Sequence, residues 1–246
     1  MNGTVLILGA TSSIARHVAA ALARRGHALF LAARDSEEAG RAASDLRIRF
    51  GVEVESGAFD AEDYESHAGF IERVEERAGN LRGVVLAFGY LGEQELAERD
   101  LDEWGRIVGR NFAGAVSILN LCAERLEARR EGFVVGISSV AGDVGRQSNY
   151  VYGASKAGLN IYLQGLRNRL YHAGVQVLTV KPGYVDTPMT YGKPRVFLAA
   201  APEQVGEGIA RAIERGRNVV YLPWFWRWIM LLLKIVPEGL RKRLKL

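Results

Sequence analysis

The chain contains 246 residues, 48% of them hydrophobic, and carries a net charge of +4 at pH 7. This length is enough for one large hydrophobic core but short for two, so we predict a single domain. The positive charge is concentrated in residues 224–246, which contain six basic side chains and one glutamate, while the remainder of the chain is close to neutral. A near-neutral body argues against a nucleic-acid-binding face.

The single cysteine, Cys122, cannot form an internal disulfide and indicates a reducing compartment. The first residues lack the basic and hydrophobic regions of a secretory signal. The longest apolar run, 224–236, is interrupted by Arg227 and Lys234 and is shorter than the ~20 residues of a membrane-spanning helix. The four histidines have no metal-ligand spacing. We therefore expect a cytoplasmic protein without a metal site.

Short runs rich in β-branched residues and leucine alternate along the chain with segments of helical periodicity. The strands are predicted at 5–8, 28–32, 52–55, 84–87, 133–137, 175–180 and 219–222. The helices are predicted at 13–26, 36–50, 61–78, 101–129, 151–173 and 203–215. This alternation indicates a doubly wound α/β fold of the Rossmann type, with a parallel sheet of about seven strands. The domain would span 1–222, followed by an amphipathic tail at 223–246.

The first predicted strand ends in a loop of small residues that begins at Gly9 and runs directly into a helix. Free backbone N–H groups and the positive end of the helix dipole meet there, which suits a pyrophosphate. Ser13 and Ala15 replace two glycines of the usual fingerprint, but they are small, and nearby hydroxyls can donate to phosphate oxygens. Alternatively, Ser12 is an ordinary helix N-cap. The candidate phosphate-binding residues are Gly9, Thr11, Ser12, Ser13 and Ile14.

The second and third predicted strands end in residues placed to meet an adenosine. A guanidinium at Arg34 can pair with the 2′-phosphate of NADP(H), whereas an acid such as Asp35 would accept a hydrogen bond from the ribose 2′-hydroxyl of NAD(H). Because Arg34 comes first, NADP(H) is favoured and NAD(H) stays an alternative. The two residues could instead be a solvated charge pair that opens the next helix. Asp60 is placed either to bind the adenine amino group or to cap the helix near Ala61.

Tyr152 and Lys156 are four residues apart in a predicted helix, so their side chains lie on one face, one turn apart. A lysine ammonium stabilises a nearby phenolate, and we expect it to lower the pKa of Tyr152 towards neutrality. Ser139 precedes Tyr152 by thirteen residues at the end of a buried strand, and Asn111 lies on the preceding helix. The competing Tyr150 is six residues from Lys156, which would place it on a different face.

Over residues 4 to about 222, the order and spacing of these motifs resemble the short-chain dehydrogenases/reductases. The resemblance implies an NAD(P)(H)-dependent oxidoreductase acting on CH–OH groups, in which Tyr152 donates a proton to the carbonyl oxygen. It also implies that Lys156 holds the nicotinamide ribose, that Ser139 polarises the carbonyl and that Asn111 anchors a proton-relay water. The substrate loop would follow, to about residue 200. Further cofactor-site residues, besides Tyr152 and Lys156, would be Ala61, Ala87, Gly89, Pro182, Gly183, Val185 and Thr187.

Two departures from the family pattern are informative: the altered glycine-rich loop, and Leu86-Ala87-Phe88-Gly89 in place of Asn-Asn-Ala-Gly. With the run 146–158 and the aromatic, then basic tail, they are similar to a branch that reduces a keto sugar on a polyprenyl phosphate. That likeness implies a substrate such as decaprenylphosphoryl-2-keto-ribose, in cell-wall biosynthesis. The alternatives are a reductase of a free acyl, steroid or terpenoid ketone, or a non-catalytic dinucleotide-binding sensor. Retention of Tyr152 and Lys156 argues against the sensor.

The tail combines three tryptophans and a phenylalanine at 224–228 with four basic residues at 241–245. Aromatic rings favour the lipid headgroup level, and Lys and Arg are attracted to anionic lipids. We therefore expect peripheral contact with the inner face of the cytoplasmic membrane. Alternatively, the tail packs on the body or on a second subunit. The family resemblance implies a homo-oligomer, a dimer or tetramer, built through the predicted helices 101–129 and 151–173.

Overall fold

The computed structural model describes residues 3–189 and 198–243. Its parallel strands are β1 (Thr4–Leu8), β2 (Ala28–Ala33), β3 (Val54–Ala58), β4 (Leu81–Leu86), β5 (Phe133–Ile137), β6 (Gln176–Pro182) and β7 (Val219–Leu222). They form one sheet in the order β3-β2-β1-β4-β5-β6-β7. The chain runs outward from β1 to β3 and then crosses back to β4, which is the doubly wound topology. The predicted fold class is confirmed.

The described helices are α1 (Ser13–Arg24), α2 (Ser36–Phe50), α3 (His67–Ala78), α4 (Gln94–Ala97), α5 (Leu101–Val108), α6 (Gly114–Arg129), α7 (Tyr150–Leu170), α8 (Pro202–Glu214), α9 (Trp226–Ile235) and α10 (Glu238–Arg241). Side chains of α1, α2 and α8 form one hydrophobic core with one face of the sheet. Those of α3, α6 and α7 form a second core with the opposite face. Because both faces are covered, the central strands are buried throughout, as their continuous apolar runs predict.

Three predicted elements differ from the structure. The third strand extends through Ser56 and Gly57, which lack the apolar, β-branched character that marks a strand, because they pair with β2. The third helix begins at His67 rather than residue 61, since the Asp60 carboxylate accepts a hydrogen bond from the Glu62 N–H and holds a turn there. The predicted helix 101–129 is interrupted by a π-helical turn at Gly109–Ala113.

The tail packs against the body rather than standing apart from it. Trp226 and Met230 on α9 are buried together with Val140 and Val144, which follow β5. Lys234 forms an ion pair with Asp143 at 3.4 Å. The opposite side of α9 is exposed. None of the described helices is both long enough and apolar enough to cross a membrane.

Candidate active site

A cavity of about 730 Å³ opens at the carboxyl ends of the strands. Crevices form there in doubly wound folds, where the strand order reverses. Every residue predicted to bind the cofactor lines this cavity: Gly9, Thr11, Ser12, Ser13, Ile14, Arg34, Asp60, Ala61, Ala87, Gly89, Tyr152, Lys156, Pro182, Gly183, Val185 and Thr187. Ser139 also lines the cavity, whereas Asn111 does not. Of the predicted substrate loop, residues 190–197 lie outside the described part of the chain.

The backbone of the loop between β1 and α1 lies close to the segment that follows β4, the neighbour of β1 in the sheet. Gly9 has φ +80°, and a Cβ there would lie 2.7 Å from the backbone nitrogen of Phe88, so only glycine fits. Ser12 is the N-cap of α1 and accepts a hydrogen bond from the Ala15 N–H at 3.2 Å. The capping interpretation of Ser12 is therefore correct. It is compatible with phosphate binding, because capping engages the Ala15 N–H while the Ser12 side chain still lines the cavity.

Arg34 and Asp35, at the end of β2, differ in their contacts. Asp35 caps α2, and its carboxylate accepts a hydrogen bond from the Glu38 N–H at 2.9 Å. Arg34 is exposed, lines the cavity and makes no ion pair with any residue in 3–189 or 198–243. The guanidinium is thus available to an anionic ligand, while the carboxylate is already engaged.

Phe88 occupies a position where the family motif is polar. Its ring lies 5.8 Å from that of Phe59, which in turn stacks on His67 at 5.0 Å between ring centroids. His67 is fully buried and is bound to Ser117 and to the Asp60 carbonyl oxygen. Apolar packing therefore braces the loops beside β4 where the family motif would place amides, and His67 is part of that packing.

The catalytic candidates meet on α7 and the end of β5. Tyr152 and Lys156 are both buried, and the Lys156 Nζ lies 5.8 Å from the centre of the Tyr152 ring. Lys156 donates a hydrogen bond to the Ile137 carbonyl oxygen at 3.1 Å, which fixes its ammonium at the end of the strand. Ser139 forms a side-chain hydrogen bond with Tyr152. Tyr150 is exposed, on a different face, as expected.

Burial dominates the protonation of this pair. It raises the pKa of Tyr152 to about 12, and the hydrogen bond with Ser139 acts in the opposite direction without cancelling it. It also lowers the pKa of Lys156 to about 8. The expectation that the lysine brings the tyrosine pKa towards neutrality is therefore wrong for this arrangement, because burial of the phenol raises that pKa by more than the Ser139 hydrogen bond lowers it.

Asn111 lies in the π-helical turn between α5 and α6. Its carboxamide is bound at both ends to Tyr90: the Tyr90 N–H donates to Oδ1 at 2.9 Å, and Nδ2 donates to the Tyr90 carbonyl oxygen at 2.7 Å. A Cβ on Gly89 would lie 3.0 Å from Asn111 Oδ1 and 3.4 Å from Lys156 Nζ. Asn111 is therefore near Lys156 but is not part of the cavity lining, and its role in holding a relay water stays a prediction.

The cavity includes residues that the sequence analysis did not assign to the site. Arg110 and Arg146 line it, as do Tyr184 and Met189. Arg146 lies between Ser139 and Tyr152 in the sequence, and this position could have identified it as a candidate site residue. Among the residues described, no group of three or more His, Cys, Asp or Glu side chains is arranged to hold a metal ion.

Residues 3–195 match the family model for short chain dehydrogenases. The chain is 39% identical over 245 residues to an uncharacterised oxidoreductase of Streptomyces coelicolor, covering 98% of this chain and 95% of that protein. It is 35% identical over 240 residues to an uncharacterised oxidoreductase of Mycobacterium tuberculosis, covering 98% and 96%. A short-chain dehydrogenase from Sphingobium yanoikuyae, solved in complex with NADPH, superposes with a TM-score of 0.84 at 25% identity, covering 97% of both chains.

Proposed function

The chain belongs to the short-chain dehydrogenase family and is an NAD(P)-dependent oxidoreductase; from this we propose that it uses NADPH to reduce a keto sugar carried on a polyprenyl phosphate. The reaction would take place at the inner face of the cytoplasmic membrane, in cell-wall biosynthesis. The observation that carries the substrate proposal is the position of α9. One side of this helix packs beside the catalytic cavity, and the other side presents apolar rings to the surroundings.

The cavity fits a dinucleotide with a 2′-phosphate. Beside β1, Gly9 allows a ligand to lie close to the backbone of the cavity wall. The N-terminus of α1 is in the same wall and favours an anion. At the end of β2, the unpaired guanidinium of Arg34 is suited to a second phosphate, whereas Asp35 is already used as a helix cap. The complex of the Sphingobium relative with NADPH agrees with this choice. NAD(H) is the alternative cofactor.

The residues on α7 and β5 are suited to supplying a proton during reduction. The chemistry that a bound nicotinamide supplies is a hydride for the carbonyl carbon. With a pKa of about 12, the Tyr152 phenol is protonated at neutral pH and can give its proton to the carbonyl oxygen. With a pKa of about 8, Lys156 is mostly an ammonium at pH 7 and can stabilise the phenolate that remains. Ser139 is placed to donate to the same oxygen.

The outer side of α9 supports attachment to a lipid surface. On α9 itself, Trp228, Leu231, Leu232 and Ile235 recur with helical spacing and are exposed by 55%, 46%, 66% and 69%, and Trp224 in the turn before the helix is exposed by 72%. The basic residues Arg241, Lys242 and Arg243 follow directly. Exposed aromatic rings beside a basic segment are typical of helices that lie in an anionic membrane interface. The two interpretations of the tail are therefore compatible: one face packs on the body, and the other is free to bind lipid.

The substrate proposal is tested by turnover of a polyprenylphosphoryl keto-pentose with NADPH and with NADH. We expect reduction with NADPH at the higher kcat/KM, and a kcat lower by about 10²–10⁴ for Tyr152→Phe, which is the matched control. The same preparation is assayed with acyl, steroid and terpenoid ketones. A higher kcat/KM for one of these would contradict the lipid-linked sugar and favour a free hydrophobic ketone. Binding of dinucleotide without turnover of any carbonyl would favour the sensor.

Membrane attachment is tested by co-sedimentation with phosphatidylglycerol vesicles at low salt. The double variant Trp228→Ser, Leu232→Ser should lose binding, because it removes two exposed apolar side chains and leaves the buried side of α9 unchanged. The control removes two other exposed apolar side chains, Ile48→Ser and Tyr171→Ser, and should bind as the wild type does. Truncation before residue 224 is unsuitable, since it would also remove Trp226 from the core. Equal binding by both double variants would contradict this part of the proposal.

A homo-oligomer is part of the same proposal, as a dimer or tetramer. Leu101 and Trp104 on α5 and Ile161 on α7 are apolar and exposed by 82%, 47% and 70%. These helices form the surface that the family resemblance indicates. Light scattering after gel filtration should give a mass of two or four chains, and Ile161→Glu should reduce it. A wild-type mass of one chain would contradict the assignment.

A further inference from the structure

Arg146 is an arginine of the catalytic cavity that forms no ion pair with a carboxylate in the described part of the chain. It lies in the segment that joins β5 to α7, and it lines the same cavity as Ser139 and Tyr152. Its Nη2 contacts the thioether sulfur of Met230 on α9 at 3.6 Å, and a thioether is a weak acceptor. Its Nε–H is buried and has no hydrogen-bond acceptor among the described residues. Because no carboxylate among the described residues neutralises the guanidinium, a ligand that brings an oxyanion to the part of Arg146 that lines the cavity would be stabilised there.

Apart from Arg34 at the end of β2, the other charged groups that line the cavity already have partners. Arg110 is paired with Glu62. The acidic residues among the described lining residues, Asp35 and Asp60, lie at the ends of β2 and β3, where each accepts a backbone hydrogen bond. No ion pair joins Arg146 to an acidic residue within 3–189 or 198–243. No carboxylate of the described residues therefore compensates the positive charge of Arg146.

The acidic residue closest to Arg146 in the sequence is also engaged elsewhere. Asp143 accepts hydrogen bonds from Lys181 and from Tyr221, each at 2.6 Å. Lys234 on α9 lies 3.4 Å from the same carboxylate. This buried cluster fixes α9 against β6 and β7, and thereby fixes the Met230 side chain that Arg146 contacts. Arg146 is thus held in place by apolar contact and is not neutralised.

We infer that Arg146 binds the phosphate of the substrate and makes the enzyme specific for a phosphate-linked keto sugar over a neutral ketone. This inference rests on the proposed function and deepens it. A guanidinium matches two phosphate oxygens with parallel N–H groups, which gives a strong, directional bond. In a lipid-linked sugar the phosphate separates the sugar from the lipid chain. Arg146 likewise connects the cavity of Ser139 and Tyr152 to α9, the helix with the exposed apolar side.

The test measures binding of hexyl phosphate to the NADPH-loaded enzyme by calorimetry, with inorganic phosphate and hexanol as further probes. We expect Arg146→Gln to weaken hexyl phosphate roughly 10- to 100-fold, the range for a charged hydrogen bond, and Arg146→Lys to weaken it less. Arg99→Gln, which removes an exposed charge outside the cavity, is the matched control and should change nothing. The Kd for NADPH should be the same in all variants, which also shows that they fold.

Several outcomes would overturn the inference. One is that hexyl phosphate does not bind the wild type, or binds Arg146→Gln equally well. Another is a parallel loss of NADPH affinity, which would mean that Arg146 contacts the cofactor. Equal affinity for inorganic and hexyl phosphate would show that the site binds free phosphate and not the phosphate of a lipid.

Kinetics with two keto-pentoses separate failure of this inference from failure of the proposed function. One carries a short alkyl phosphodiester, and the other is the neutral alkyl glycoside. Arg146→Gln should raise KM for the phosphodiester alone. If it raises KM equally for both, the phosphate assignment fails while the reductase function stands. If neither is turned over but hexyl phosphate binding depends on Arg146, the anion site stands and the proposed sugar substrate fails.

Discussion

Gly183 lies between the cavity and α9. Its replacement by alanine should push α9 away from the cavity wall. It follows β6 and lines the cavity, and the indole of Trp226 packs directly on its Cα. A Cβ at this position would overlap Nε1, Cε2 and Cδ1 of that ring, where ordinary contact needs 3.4–4 Å. Trp226 is only 2% exposed, and the ring of Tyr184 lies 5.7 Å from it, so the indole has little room to move.

The decrease in the free energy of unfolding caused by Gly183→Ala lies between two limits. If the surroundings shift to accommodate the methyl group, overpacking of this kind costs about 1–3 kcal/mol. If Trp226 is expelled, the loss approaches that of truncating a buried tryptophan, about 3–5 kcal/mol. We expect a decrease of about 3 kcal/mol in the free energy of unfolding, where the two ranges meet. NADPH should also bind more weakly, because Pro182 and Val185 adjoin the displaced backbone.

Urea unfolding followed by tryptophan fluorescence measures both the stability and the environment of the indole. The matched control is Gly165→Ala on α7, where an added Cβ meets nothing within 4 Å, and it should be neutral or stabilise by up to about 1 kcal/mol. In a Trp226→Leu background, Gly183→Ala should cost much less, because the overlapping ring is gone. An equal cost in both backgrounds, or wild-type stability of Gly183→Ala itself, would refute the reasoning.

Three other predictions concern the chemistry, the cofactor and the buried ion cluster. Tyr152→Phe removes the proton donor but retains the ring, so kcat should fall by about 10²–10⁴ while the Kd for NADPH, measured by fluorescence, hardly changes; near wild-type turnover would contradict the assignment. Arg34→Leu should weaken NADPH by about 1.5–3 kcal/mol and leave NADH unchanged, whereas equal losses for both would make Arg34 structural. Burial acts to raise the pKa of Asp143, but hydrogen bonds from Lys181 and Tyr221 outweigh it and hold that pKa below its usual value. Its contribution to stability is therefore present above about pH 4 and lost as the pH falls through the lowered pKa. Asp143→Ala should lower the free energy of unfolding at pH 7 by about 3–5 kcal/mol, because Lys181 is left buried and unpaired, and it should flatten the acid limb of a stability profile measured by urea unfolding; an unchanged profile would show that the cluster contributes little.

The regular parts of this protein could be predicted because local rules suffice for them. Strands buried on both faces are continuous apolar runs, and the helical repeat places Tyr152 and Lys156 on one face wherever α7 lies. The departures occur where another segment decides the outcome. The strand β3 extends over Ser56 and Gly57 because β2 supplies their hydrogen-bond partners. The π-helical turn at Asn111 adds one residue to the helical repeat, which the apolar periodicity of the sequence does not predict. Asn111 is held in this turn by hydrogen bonds to the backbone of Tyr90.

The sequence by itself determined the doubly wound sheet, because buried strands alternate with helices along the chain, and it predicted a nucleotide-binding loop and a set of candidate catalytic residues from the spacing of their motifs. The tertiary structure alone decided the electrostatics. Whether a side chain is neutralised depends on partners that are distant in the chain: within the described residues, Arg34 makes no ion pair although it adjoins Asp35, and Arg146 makes none, while the nearby Asp143 is bound to Lys181. The same holds for Tyr152, whose pKa is set by how completely the folded chain removes its phenol from water.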